Sequence, residues 1–433
     1  MDPVTVGLIG LLLLVIFLFT RMPVGFVMAF LGLLGFSYMV SLEGGLRMLA
    51  KDFYTIFGAY SLTVVPLFIL MGQVTFHSGV SSKLFDSAYK FIGHLPGGLA
   101  MATIAACAGF AAICGSTNAA AATMATVALP EMRRYKYDMV LATGTVAAGG
   151  SLGILIPPSV IFIVYGILTE QSIGKLFVSG IIPGILLSLL FTITIYIWVK
   201  LRPQIAPLGP KFTFKEKLNS LKGVIETLIL FVLVMGGLFA GIFTPTEGGA
   251  IGAGGAITLG LITRKLSISK LKQALLESCR ISCMVMVIVA GATMFGHFLA
   301  ITRIPYILAS WVSGLPLPHY AIMAFIIFLY LVGGCFIDAL ALILLTIPIF
   351  YPVITNMGYD PIWFGVIIVL VTQLGVITPP VGVNVYVVGG IAREVSLEKI
   401  FKGALPFLIS LLVLSLALIP FPQLCLWLPS LMK

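Results

Sequence analysis

The sequence predicts an all-α polytopic membrane protein made of two copies of one unit, and three observations carry that expectation. The 433-residue chain is 60% hydrophobic and only 9% charged, and apolar runs of about 17–25 residues, long enough to cross a bilayer, recur from end to end. A proline pair interrupts an apolar stretch twice, in GSLGILIPPSVIF from Gly150 to Phe162 and in QLGVITPPVGVNV from Gln373 to Val385. Proline removes a backbone donor and clashes with the preceding turn, so each pair ends a helix inside what would otherwise be a span. The third observation is that the two pairs lie 222 positions apart.

Other landmarks keep that spacing. Tyr137-Asp138 matches Tyr359-Asp360, Leu152-Gly153 matches Leu374-Gly375, and Pro23 matches Pro245, all 222 apart. Leu95-Pro96 matches Leu315-Pro316 at 220, which sets Asn118 opposite Asp338, and Lys175 with Phe177 matches Lys399 with Phe401 at 224. Constant order at nearly constant spacing is the mark of an internal repeat. The halves are 1–200 and 223–433, joined by a polar linker, 201–222, rich in Pro and Lys.

In the first half, crossings are expected near 4–20, 22–41, 57–76, 138–168 and 175–199. Val4 to Phe19 has no basic leader and no small-residue cleavage site, and reads as a retained span. The stretch 96–130 is rich in Ala and broken midway by CGSTNA, which fits a re-entrant helical hairpin with its tip at Gly115–Asn118. Its counterpart is 317–350, and the two proline pairs make broken helices of 138–168 and 361–391.

Five crossings is an odd number, so the second half is expected to be inverted in the membrane. With that inversion, 19 of the 25 Lys and Arg fall on one face, among them Arg21, Lys83, Arg133, Arg134 and the linker lysines. Cytoplasmic loops carry such an excess. Both termini are then expected outside the cytoplasm and the linker inside it.

The formal net charge of +10 is distributed over short loops between apolar runs, so nucleic acid is not an expected partner. Six cysteines and four histidines form no metal-ligand spacing and read as packing or loop residues. There is no P-loop, no H-E-x-x-H, no G-x-S-x-G and no intramembrane carboxylate pair, which argues against an ATP-driven pump and an enzyme. A channel filter would need repeated carbonyls or charged rings about an axis.

Backbone inside a bilayer must be hydrogen-bonded, so a break persists where it lines a cavity or binds something. Transporters with inverted repeats use such breaks: freed carbonyls hold Na+ or H+, and helix N-termini face anionic substrate groups. Polar residues collect at the corresponding places here. The first tip offers Gly115, Ser116, Thr117 and Asn118, and the first break offers Gly153, the Ile156 carbonyl, the proline pair and Ser159. The second tip offers Gly334, Cys335 and Asp338, and the second break offers Gly375, Thr378, the proline pair, Gly382 and Asn384. Hydroxyl, amide and carbonyl oxygens are hard ligands suited to a small alkali cation. Asp338 reads either as an ion ligand or as a helix cap. Glu226 and Glu247, near span ends, read as loop or interface residues, and Arg303 as an anchor or lid.

Five segments, CGSTNA, GILIPPS, FTPTEGGAIGA, GCFIDALALILLTIPI and LGVITPPVGVNVY, resemble the large membrane subunit of tripartite ATP-independent periplasmic (TRAP) transporters. The resemblance runs over essentially the whole chain. It implies Na+-coupled import of an organic acid anion (a C4-dicarboxylate, a sialic acid or another sugar or keto acid) across a bacterial inner membrane by an elevator motion. It also implies a soluble periplasmic binding protein that delivers the substrate and a small four-helix membrane subunit, here expected as a separate chain. Carried over residue by residue, the sodium sites fall at Ser116, Thr117 and Asn118 with Gly153, Ile156 and Pro158, and at Gly334, Cys335 and Asp338 with Gly375, Thr378 and Pro380. Ser116, Thr117, Ser159 and Asn384 are the candidates for the substrate carboxylate. A stand-alone dicarboxylate/Na+ symporter shares inverted hairpins and needs no binding protein, and is the competing reading.

Overall fold

The fold is described from a computed structural model that covers every residue except Met1, Phe19, Arg21, Leu315 and Lys433, together with the side chain of Ser313. Arg21 of the charge pattern, and Leu315 of the repeat pattern, therefore lie outside the described residues. In chain order the helices are α1 (Pro3–Leu18), α2 (Val24–Met39), α3 (Leu42–Phe57), α4 (Val64–His77), α5 (Val80–Ile92), α6 (Gly98–Cys114) and α7 (Thr117–Arg134). Then come α8 (Met139–Ser151), α9 (Val160–Leu168), α10 (Ile173–Leu201), α11 (Phe214–Leu221), α12 (Ile225–Phe239), α13 (Pro245–Ile262) and α14 (Ile268–Ile301). The chain ends with α15 (Ile304–Ser313), α16 (His319–Gly334), α17 (Ala339–Asn356), α18 (Pro361–Ile377), α19 (Val383–Ile391), α20 (Leu397–Ala417) and α21 (Gln423–Ser430).

Among the described residues the regular elements are all helical, and five helices are long and apolar enough to cross a membrane, including Tyr60–His77, which adds a turn of 3-10 helix ahead of α4. The hairpin arms α7 and α17 are both 18 residues long and begin 222 positions apart, at Thr117 and Ala339. The short helices after each break, α9 and α19, are both nine residues. α3 and α4 have a single counterpart in α14, a 34-residue helix that spans about 51 Å at 1.5 Å per residue, well beyond an apolar bilayer core. The chain breaks at Gly58–Ala59 between α3 and α4, whereas α14 runs without a break.

Two charged, amphipathic helices, α3 and α5, lie between the expected crossings; they carry Lys51, Asp52, Lys83, Asp86 and Lys90 and are not among the helices apolar enough to cross a membrane. Two sequence expectations need correction. Pro130 does not end the first hairpin, because α7 runs through it to Arg134. The second hairpin likewise passes Pro348 and Pro352 to end at Asn356. Proline within a packed membrane helix is tolerated where neighbouring groups satisfy the freed carbonyl.

Packing exchanges partners between the halves: α2 lies on α14, and α4 lies on α13. Small residues permit the approach, as expected where lipid supplies no hydrophobic drive between helices. A Cβ on Gly291 would sit 2.1 Å from the Gly25 carbonyl oxygen. α8 and α20 meet the same way, a Cβ on Gly403 falling 2.0 Å from the Val140 carbonyl oxygen. Gly403→Ala is therefore expected to cost about 1–3 kcal/mol through overpacking, seen as a lowered melting temperature of the detergent-solubilised protein. An unchanged melting temperature would mean the crossing is looser than described.

Two histidines fasten α14 to the first half, which their scattered positions did not suggest. His77 Nε2 lies 3.1 Å from Glu277 Oε2, and His297 Nδ1 lies 2.9 Å from the buried Asp52 Oδ2. Glu226 pairs with Lys265 at 2.6 Å and faces Lys83 at 3.8 Å, while Glu247 completes a capping box with Thr244. Both therefore hold helix ends. Arg303 occupies the left-handed N-cap position of α15.

The linker is strapped down over its length. The Asp138 N–H donates to the Ile205 carbonyl (2.8 Å) and the Gly209 N–H to the Gly93 carbonyl (3.1 Å). Phe212 meets the ring of Tyr89 edge-on at 5.4 Å, and the Ser87 hydroxyl donates to the Ser220 carbonyl at 2.7 Å. The Thr213 hydroxyl and N–H both donate to Glu216, holding its carboxyl below the usual carboxylate range. A depressed pKa stabilises the folded cap above the unfolded value and loses that contribution as pH falls through the folded one, so this cap persists into mildly acidic solution.

Candidate functional site

Each hairpin tip rests on the break of its own half. In the first, α6 ends at Gly115, whose φ of +62° turns the chain, and Ser116 then caps α7 by accepting from the Ala119 N–H at 3.4 Å. The facing chain leaves α8 through a turn at Leu152–Ile154 and reaches Ser159, the cap of α9. A Cβ on Gly153 would lie 2.5 Å from the Ser116 carbonyl oxygen, and one on Gly115 2.6 Å from the Pro158 carbonyl oxygen. Only glycine lets backbone meet backbone this closely.

The second half repeats the contact. A Cβ on Gly375 would lie 2.2 Å from the Gly334 carbonyl group, and the Val381 N–H donates to the Cys335 carbonyl at 3.3 Å. Asp338 caps α17, its Oδ2 accepting from the Leu340 N–H at 3.1 Å. The structural equivalent of Asp338 is therefore Ser116, the cap of α7. The alignment through Leu95-Pro96, which pairs Asn118 with Asp338, slips by two residues because the chain entering each hairpin differs in length.

Both tips open on one cavity of about 110 Å³, lined by Ser116, Thr117, Asn118 and Asp338 and, from neighbouring helices, by Gln73 of α4 and Met284 of α14. Thr117 donates to the Asn118 side-chain oxygen at 3.2 Å, leaving the hydroxyl oxygen able to accept. The lining carries one carboxylate and no Lys or Arg, a donor set matched to a cation with hard-oxygen preference.

The other predicted residues have mixed fates. Gly153 and Pro158 touch the first tip, and Gly375 touches the second. Ile156 continues the turn at the break, its N–H donating to Leu152, and the Thr378 hydroxyl donates to the Leu374 carbonyl. Pro380 sits on the loop between α18 and Val381. Ser159 and Asn384 do not line the cavity. Ser159 is fully buried, donating to the Ile154 carbonyl at 2.6 Å while capping α9, and buried Asn384 donates to the Ala147 carbonyl at 3.0 Å. The Asn384 side-chain oxygen is buried with no hydrogen-bond partner.

Sequence reading missed Gln73, although a lone amide in the apolar run VVPLFILMGQVTFH was a visible signal. It also passed over Gln373, wholly buried on α18 with neither amide atom hydrogen-bonded to protein. Met284 carries no sequence signal.

A family model described as "Tripartite ATP-independent periplasmic transporter, DctM component" matches residues 11–424. The chain belongs to the DctM family. Its members are permease subunits of transporters and not enzymes. This DctM-family permease is 37% identical over 385 residues to the C4-dicarboxylate TRAP transporter large permease protein DctM of Pseudomonas aeruginosa, covering 89% of this chain and 90% of that one. It is 32% identical to the sialic acid TRAP transporter large permease protein SiaM of Vibrio cholerae over 96% of both chains. It is 35% identical to the isethionate TRAP transporter permease protein DctMQ of Oleidesulfovibrio alaskensis, of whose length the match spans 58%. Among solved structures, the Alcanivorax borkumensis YdaH transporter superposes with a TM-score of 0.63 at 15% identity, over 90% of both chains. Neisseria gonorrhoeae MtrF gives 0.57 at 15% identity, over 99% of this chain and 95% of that one. At such identity the likeness is one of fold.

Proposed function

We propose that this DctM-family permease imports an organic acid anion across a bacterial inner membrane, coupled to Na+ and supplied by a soluble periplasmic binding protein. A small membrane subunit completes the complex. The observation that supports this most is the shared cavity: two tips, each seated on its own break, face one space lined by Ser116, Thr117, Asn118 and Asp338. The cation is taken where tip meets break, at Ser116, Thr117, Asn118, Gly153, Ile156 and Pro158 in one half and at Gly334, Cys335, Asp338, Gly375, Thr378 and Pro380 in the other. Bound Na+ offsets the Asp338 charge and makes room for an anion, whose carboxylate meets the Ser116 and Thr117 hydroxyls and the N-terminal end of α7. Coupling results, because an anion entering before the cation faces an uncompensated carboxylate.

The halves are inverted in the membrane, with both termini periplasmic, and the hairpins with their breaks move as a unit against the helices around α2 and α14. Relatives named for C4-dicarboxylates, sialic acid and isethionate bound the substrate class to small organic anions. Proteoliposome uptake should require Na+, the small subunit and the binding protein together. Uptake that persists in K+ would remove the coupling, and uptake by this chain alone would favour the stand-alone symporter.

A further inference from the structure

The linker helix α11 has a role that none of the cavity chemistry requires. Its outer row is apolar: Phe214, Leu218 and Leu221 are 77%, 57% and 38% exposed. Beside it, Lys215, Asn219 and Lys222 are spaced by four and three residues in helical register, so they share one face. That face borders an open cleft lined by Thr213, Lys215, Glu216, Leu218, Asn219 and Lys222. Lys215 and Lys222 are two turns apart, about 10 Å along the axis, and Lys211 lies exposed just before the helix.

The segment from Lys200 to Lys222 holds six basic residues and a single acid, Glu216, whose carboxylate is taken up by Thr213. Of the charges packed around it, Asp86 is paired with Lys90 at 2.7 Å and Glu226 with Lys265. Lys217 turns inward, its ammonium 5.9 Å from the centre of the Phe91 ring. The outward charge is therefore positive. The next helix sets the depth of α11, because α12 begins at Ile225 and the two together pass as one apolar span bent by 50°. α11 thus lies at the end of a membrane helix, turned aside, with apolar side chains outward and lysines flanking them. A helix of this make-up lies in the interface, with its apolar row at the acyl boundary and its lysines at the phosphates.

We infer that α11 is a docking surface for anionic phospholipid, with Phe214, Leu218 and Leu221 at the acyl boundary and Lys211, Lys215 and Lys222 on the headgroup phosphates. The Ser87–Ser220 bond ties this helix to α5, and the Asp138–Ile205 bond ties the strap to the start of the first broken helix. Lipid held at α11 is thereby connected to the element that carries the first hairpin's partner.

The test titrates a fluorescent short-chain phosphatidylglycerol, and the phosphatidylcholine of the same tails, into the purified full-length chain in neutral detergent. Each interfacial lysine is worth about fivefold, so the wild type should prefer the anionic lipid by roughly a hundredfold. Lys211→Gln, Lys215→Gln and Lys222→Gln combined should bring the two lipids to near equality, and the same three changes to Arg should keep the preference. Phe214→Ser should weaken both lipids alike. Should the triple glutamine variant be unstable, Lys222→Gln alone, expected to lose about fivefold, decides the matter. An unchanged preference in that single variant or in the triple one would overturn the inference. So would an equal loss on changing Lys270 and Lys272 to Gln, or complete displacement of the lipid by glycerol phosphate at matched concentration.

Discussion

Gly375→Ala is expected to lower Na+-dependent uptake roughly tenfold or more, while Gly390→Ala, fifteen positions on, leaves it near wild type. The reason is where the new methyl lands. At Gly375 it falls 2.2 Å from the Gly334 carbonyl group, and neither side can yield, because both are helix backbone. Forced overpacking of this kind costs about 1–3 kcal/mol and sometimes more. The cheapest relief is to lift the second tip off its break, which scatters the oxygens proposed to hold the cation and should lower uptake roughly tenfold or more. Gly390 has nothing within 4 Å of the added Cβ, so Ala there should be neutral or stabilising by up to about 1 kcal/mol. Uptake assays beside melting curves separate the two. Wild-type uptake by Gly375→Ala would mean that the tip and the break part during turnover without consequence.

Asp338→Asn is expected to weaken the apparent Na+ affinity of transport by about tenfold or more while leaving expression and folding intact. Asn is as good an N-cap as Asp, so α17 keeps its start, and the substitution isolates the charge. Two unit charges 4 Å apart interact by about 4 kcal/mol at an effective dielectric of 20, which sets the scale of the loss. Asp338→Leu removes the cap as well and should cost about 1 kcal/mol more in stability. Asn118→Leu should also impair uptake with expression retained, since it fills the shared cavity with a branched apolar chain. If Asp338→Asn showed an unaltered Na+ dependence, the carboxylate would be a cap and nothing else, and the second cation site would have to be moved.

The elements most legible in the sequence were those that local chemistry dictates. A proline pair ends a helix whatever surrounds it, so both breaks were readable, and a polar tetrad such as Gly115–Asn118 stands out inside an alanine-rich run. Where tertiary context decides, the reading failed. Amphipathic α3 and α5 bury one face only, and a window that averages both faces sees neither an apolar run nor a loop. Pro130, Pro348 and Pro352 look like stops but sit inside continuous helices. The pairing of Ser116 with Asp338 was hidden because a Ser and an Asp share a capping role without sharing an identity. Ser159 and Asn384 show in the sequence as polarity near a break, while their hydrogen-bond partners, the Ile154 and Ala147 carbonyls, do not. Gln73 joins the cavity only because α4 packs on the first tip, a Cβ on Gly72 falling 2.8 Å from the Cys114 carbonyl oxygen. No one-dimensional pattern carries that contact.

The most direct test labels the two tips themselves. In a chain whose six native cysteines are replaced, Thr117→Cys and Ala339→Cys each place a thiol on the shared cavity, and their reaction with a small charged thiol reagent is timed as Na+ is titrated against K+. If cations bound where each tip meets its break close the shared cavity, Na+ slows both reactions and K+ slows neither. A labelling rate at either position that stays the same from K+ to saturating Na+ would contradict it.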